Sequence, residues 1–195
     1  MLTSCCHRGD AKLLREIGFS AYLSKPVRPS QLYDCLRLVL AAPSTSTAER
    51  GKPLLTRHSV VEIKKHNTRI LLAEDNPVNA RLVIRILEKA GYPAGRAVNG
   101  REVLAALDKI RYDLVLMDVQ MPEMDGLETT RAIRQKELLS GKHVPIIALT
   151  AHAIKGDQQI CLDACLDDYL SKPIRPKLLI STVERVLRQE KETMA

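Results

Sequence analysis

The chain has 195 residues, 45% of them hydrophobic and only 3% aromatic, with no Trp and one Phe. That is enough for one domain of ordinary size with an aliphatic core, plus an extra segment. No apolar run approaches the ~20 residues of a membrane span and the first residues show no charged-then-apolar leader, so a soluble, cytoplasmic protein is expected. The net charge of +7 is lopsided: residues 1–68 hold 11 Lys/Arg against 5 Asp/Glu, residues 69–195 hold 19 against 18, and the near-neutral longer part argues against a nucleic-acid-binding face.

In chain order, the first feature is one half of a repeat. Residues 17–31 read IGFSAYLSKPVRPSQ and residues 164–178 read ACLDDYLSKPIRPKL. Thr3 precedes Lys25 by the same 22 residues that separate Thr150 from Lys172. Residues 1–42 therefore read as the tail of a second module. Residues 43–68, PSTSTAERGKPLLTRHSVVEIKKHNT, lose hydrophobic periodicity and read as a linker. Residues 69–190 read as one complete module.

Within it, Ile70–Ala73 is a short apolar strand that stops at Glu74-Asp75-Asn76-Pro77. Helical spacing follows from Val78 to Ala90, carried by Val78, Leu82, Ile86 and Leu87, with Gly91 as a stop. Residues 94–98 form a weak strand, and residues 101–110 a helix with Val103, Leu104 and Leu107 inward. Leu114–Met117 is a strand that delivers Asp118, and a loop with Pro122 leads to a helix over residues 126–138. Residues 144–149 form a strand that delivers Thr150, and residues 154–164 a fourth helix. Tyr169-Leu170 ends a short strand before Ser171-Lys172-Pro173. A last helix over residues 177–188 places Leu178, Leu179, Val183, Val186 and Leu187 on one side. Alternating strands and helices over this length predict an α/β fold, a parallel sheet covered on both faces.

The conspicuous polar residues fall at strand ends: Glu74 and Asp75 after the first, Asp118 after the third, Thr150 after the fourth, Lys172 after the fifth. All carboxyl ends of a parallel sheet lie on one edge, where open α/β sheets bind ligands. Clustered carboxylates stay ionised only beside a cation, and hard oxygen ligands favour Mg²⁺, which shares its shell with phosphoryl groups. A rim Lys supplies a second positive charge, and a Thr hydroxyl can hydrogen-bond a phosphoryl oxygen. The set suits phosphoryl transfer to a carboxylate better than acid–base chemistry.

RILLAEDNPVN, DLVLMDVQMPEMDGLE, PIIALTA and DDYLSKP, in that order, resemble the receiver domain of two-component response regulators over about residues 69–190. The resemblance implies a doubly wound, flavodoxin-like five-stranded parallel sheet of order 2-1-3-4-5. It implies Asp118 as phosphoacceptor, with Asp75, Asp118 and the Gln120 backbone carbonyl as Mg²⁺ ligands and Glu74 as the further acidic-pocket residue. It implies Thr150 and Lys172 as the phosphoryl-sensing pair and Thr150 with Tyr169 as the switch. The expected partner is a histidine kinase or histidine phosphotransfer protein that donates from a phosphohistidine. The expected output face is the fourth helix, fifth strand and last helix, a face also suited to dimerisation.

Together with TRHSVVE and the first SKP copy, the chain resembles the C-terminal receiver region of a hybrid sensor histidine kinase with tandem receivers. Residues 1–42 would then be the C-terminal fragment of a degenerate or truncated receiver, loosely packed, with no phosphate role for Lys25. No kinase core, DNA-binding output or membrane contact is expected in this chain, and no independent enzyme. The alternative is a non-phosphorylated docking module of a hybrid kinase assembly, against which the intact acidic set argues. An Asp-nucleophile phosphatase would need Asp where Gln120 stands.

Other residues read more simply. Asp125-Gly126 is turn and cap chemistry. His152 is a helix-start residue, and Met117, Met121 and Met124 fill space. Five Cys without a leader read as free thiols, and Cys161 and Cys165 lack partners at metal-ligand spacing. Cys165 departs from the family pattern, which carries Gly there as Gly18 does in the first copy, and strain or a shifted helix end is expected.

Overall fold

The computed structural model describes residues 2–3, 14, 17–21, 23–27, 29–41, 65–151 and 165–193. The helix expected over residues 154–164, His152, Cys5, Cys6, Cys161 and most of the linker lie outside them. The chain divides into two units, Met1–Lys64 and Lys65–Ala195.

The first unit contains β1 (Leu2–Thr3), β2 (Leu23–Ser24) and α1 (Pro29–Ala41). Its strands pair in parallel, and Leu23 and Cys35 form a small buried cluster.

The second unit alternates strand and helix from Ile70 to Thr150. Its elements are β3 (Ile70–Ala73), α2 (Pro77–Lys89), β4 (Ala94–Ala97), α3 (Gly100–Lys109), β5 (Leu114–Asp118), α4 (Gly126–Ser140), β6 (Ile146–Thr150), β7 (Asp168–Ser171) and α5 (Pro176–Thr193). All five strands are parallel in the order β4-β3-β5-β6-β7, which is 2-1-3-4-5 in strand sequence. This is the flavodoxin-like sheet that the motifs imply.

The strand sequences explain the arrangement. β3, β5 and β6 read ILLA, LVLMD and IIALT and are buried at every position, as central parallel strands must be. Their alternate residues feed two cores. Ile70, Leu72, Leu116 and Leu149 pack with α2 and α5 on one face, whereas Leu71, Val115, Met117 and Ile146 pack with α3 and α4 on the other.

Caps fix where each helix leaves the carboxyl edge. The Asn76 side chain accepts from the Val78 and Asn79 N–H groups at 2.9 and 3.3 Å, with Pro77 opening α2. Asn99 accepts from Glu102 N–H at 2.9 Å, and the Glu102 carboxylate accepts from the N–H of Val98, one residue before the cap, at 3.0 Å. Asp125 accepts from Glu128 N–H at 2.7 Å, which is cap chemistry as its sequence context suggests.

Not all the apolar positions at helical spacing in the first and last helices of this unit are buried. In α2 the buried residues are Ala80, Val83 and Leu87, while Val78 and Leu82 are exposed. In α5 Leu178 is exposed, and Leu179, Val183, Val186 and Leu187 are buried. Cys165 adopts φ +57° and Gly18, its counterpart, φ +93°. A side chain in this left-handed region carries a penalty of about 1 kcal/mol. Cys165→Gly should therefore raise the melting temperature by roughly 2–4 °C; an unchanged or lower value in a calorimetric scan would refute the strain.

Candidate functional site

Two neighbouring central strands bring the acids together. β3 and β5 pair in register from Ile70↔Leu114 to Ala73↔Met117, so Glu74-Asp75 and Asp118 emerge side by side. One carboxylate oxygen from each of Glu74, Asp75 and Asp118 lies within 4.8 Å of the others. Glu74 is 1% exposed and Asp118 5%, whereas Asp75 faces solvent.

From the other side β6 and β7 close the rim. Asp118 pairs with Leu149, which places buried Thr150 one residue beyond it. Lys172 N–H donates to the Thr150 carbonyl at 2.7 Å, so these two residues are tied through the backbone. The Lys172 ammonium donates to Glu74 Oε2 at 2.8 Å and to Asp118 Oδ2 at 2.7 Å. Asp118 Oδ1 accepts from Gln120 N–H at 3.3 Å. Tyr169 is half-buried on β7, in register with Ala148.

The sequence does not single out two further residues here. Asn79 Nδ2 donates to Glu74 Oε1 at 3.0 Å and fixes the buried carboxylate. Arg96 on β4 donates to the Asp75 carbonyl at 2.9 Å and to the Glu74 carbonyl at 3.3 Å, clamping the loop between β3 and α2. Asn79 sits inside the EDNPVN motif, which could have suggested it; Arg96 stands in a weak strand and carries no such signal.

Electrostatics follow from this crowding. Burial lifts the Asp118 carboxyl above its ordinary range and nearby Glu74 adds to that, against the pull of the Lys172 hydrogen bond and charge and of Gln120 N–H. Burial alone would lower the Lys172 value, but its bonds and charge contacts with Asp118 and Glu74 prevail and raise it. Lys172 rises because one ammonium gains from two carboxylates, and Asp118 rises because burial, with Glu74 added, outweighs that ammonium.

Three carboxylates converge, Lys172 pairs with two of them, Glu74 and Asp118, and a divalent ion would offset the remaining negative charge. The all-oxygen donor set fits a hard cation. The pocket also combines a partly neutralised carboxylate, an ammonium and a buried hydroxyl, which suits an incoming anion with several oxygens.

Comparison with known proteins gives a consistent answer. Residues 70–184 match the Response regulator receiver domain. The chain is 45% identical over 120 residues to "Hybrid signal transduction histidine kinase I" of Dictyostelium discoideum, covering 59% of this chain. It is 32% identical over 200 residues to "Probable histidine kinase 5" of Oryza sativa subsp. japonica, covering 93% of this chain. It spans only 7% and 16% of the lengths of those two kinases. Among solved structures, the receiver domain of a sensor histidine kinase from Pseudomonas aeruginosa PAO1 is 40% identical with a TM-score of 0.54, covering 63% of this chain and 95% of that one. That crystal structure has a magnesium ion coordinated in the active site cleft.

Proposed function

This chain belongs to the response regulator receiver domain family, and from that premise we propose that it is a phosphorelay receiver whose phosphoacceptor is Asp118. Its donor is a phosphohistidine on a histidine kinase or histidine phosphotransfer protein. The observation that carries the reading is the shared Lys172 ammonium, 2.7 Å from Asp118 Oδ2 and 2.8 Å from Glu74 Oε2. It opposes the burial and the neighbouring Glu74 charge that disfavour the charged form of the Asp118 carboxylate, the form that acts as nucleophile.

A carboxylate oxygen of Asp118 forms the new P–O bond while the P–N bond to the imidazole breaks, and the imidazole leaves with the bonding pair. Lys172 offsets charge on the transferring group, and the Thr150 hydroxyl orients one of its oxygens. Glu74, Asp75, Asp118 and the Gln120 backbone carbonyl would hold Mg²⁺, which supplies further charge neutralisation when bound. Thr150 and Tyr169 form the switch that passes the new charge to the face of residues 154–164, β7 and α5. That face is also the proposed dimerisation surface.

Residues 69–190 constitute the receiver, 43–68 a linker and 1–42 the C-terminal fragment of a second receiver. Among the described residues no helix is long and apolar enough to cross a membrane; the site is proposed to work in the cytoplasm, within a hybrid kinase.

Phosphoramidate, whose P–N bond imitates phosphohistidine, tests the reading. Label should enter only with Mg²⁺ and should be released by hydroxylamine, as an acyl phosphate is. Metal-independent or hydroxylamine-resistant label would contradict it.

Mg²⁺ should also stabilise the fold by about 2.7 kcal/mol at a concentration 100-fold above its dissociation constant. Urea unfolding measures this. Asp75→Ala, at an exposed position, should abolish the gain without a comparable loss of stability in EDTA.

A further inference from the structure

The repeat makes the chain its own control. Lys25 corresponds to Lys172, an offset of 147 (172 − 25), and the two copies agree in backbone detail. Leu2↔Leu23 and Thr3↔Ser24 pair in the same register as Leu149↔Leu170 and Thr150↔Ser171. The X-Pro bonds Lys25-Pro26 and Lys172-Pro173 are both cis. One side of α1 is covered as in α5: Cys35 is 4% exposed, like its counterpart Thr182, and Leu23 is 4% exposed, like Leu170.

The other side differs. In α5, Leu179, Val183 and Leu187 are 0%, 0% and 8% exposed. Their counterparts in α1, Leu32, Leu36 and Leu40, are 40%, 50% and 81% exposed. Leu179, Val183 and Leu187 are covered by a cluster that includes Leu72 of β3, Val83 of α2 and Leu116 of β5. β6 also pairs with β5 on the edge away from β7, whereas among the described residues the corresponding edge of β1 has no strand partner.

We propose that the Leu32–Leu36–Leu40 face and the free edge of β1 are a docking surface for the first half of a receiver, three βα units equivalent to residues 69–143. The occupant is a half-receiver other than residues 69–143 of this chain, which already cover α5. Its chemistry is set by the second copy: an aliphatic helix-and-sheet face over the three leucines, and a parallel strand against β1. The proposal rests on the reading of residues 1–42 as a receiver tail and is independent of the role of Asp118.

The test uses the full chain and a full chain extended at its N-terminus with a second copy of residues 69–147, joined directly to Met1. Hydrogen exchange is followed over residues 29–41. Exchange in the extended chain should slow by at least about tenfold, since α1 then opens only with a packed core, and Leu36→Lys in the extended chain should reverse this while leaving residues 65–193 protected. Two results would overturn the proposal. One is unchanged exchange over residues 29–41 in the extended chain. The other is protection already present in the unextended chain with a dimer by light scattering, which would make the occupant a second copy. Label at Asp118, read in parallel, reports the phosphoacceptor proposal separately.

Discussion

Exchange of Lys172 for Met will destabilise the receiver unit by about 3–5 kcal/mol in EDTA at neutral pH. An exposed ion pair would contribute less than about 1 kcal/mol. Here the side chains of Glu74 and Asp118 are 1% and 7% exposed and that of Lys172 is 22% exposed. Removing the ammonium leaves two buried carboxylates facing each other with no cation between them.

The pH dependence has a definite sign. Lys172 titrates higher when folded than when unfolded, so its contribution is complete below about pH 10.4, the unfolded lysine value, and is lost as pH rises through the folded one. The variant should lack that alkaline limb. It should instead gain stability as pH falls and its carboxyls take up protons, and Mg²⁺ should restore part of the loss. Urea unfolding across pH measures all three; a loss below about 1 kcal/mol would show that the carboxylates are well hydrated without their lysine.

Gly126→Ala carries the second large effect. Gly126 opens α4, and its N–H donates to the Val119 carbonyl at 3.0 Å. An added Cβ would fall inside the contact distance of the Asp118 carbonyl oxygen and 3.0 Å from the Met117 side chain. Neither α4 nor β5 moves freely, since β5 pairs with β3 and β6 along its length. Overpacking of this kind costs about 1–3 kcal/mol. The displacement falls on the residue proposed to accept the phosphoryl group, so labelling should slow more than the stability loss alone explains. A variant with wild-type urea midpoint and wild-type labelling would show that the loop yields easily.

The strand ends were legible because parallel strands buried on both faces leave uninterrupted apolar runs, and a polar residue after such a run has only the sheet edge to occupy. Strand order was not legible from periodicity and came from the family motifs. The inward stripe of α2 was not legible because Val78 and Leu82 are apolar yet face outward, while one buried position is the small Ala80. Hydrophobicity marks two sides of that helix, and only the tertiary partner selects one.

β6 begins at Ile146 and not at Val144 for a reason invisible in one dimension. Glu137 accepts from Val144 N–H at 2.7 Å, and Arg134 donates to the Val144 carbonyl at 2.9 Å. Asp167 accepts from Ile146 N–H at 2.7 Å. Side chains far along the chain thus satisfy the backbone where a strand would otherwise start. Arg96 escaped notice likewise, since it acts on carbonyls of a loop more than twenty residues away.

The most direct measurement is intact mass, followed by peptide mapping, after incubation with acetyl phosphate and Mg²⁺. The wild-type chain should gain one phosphoryl group, mapped to Asp118, and folded Asp118→Asn should gain none. A phosphoryl group still acquired by Asp118→Asn, or mapped elsewhere in the wild type, would contradict the assignment of that carboxylate as the acceptor.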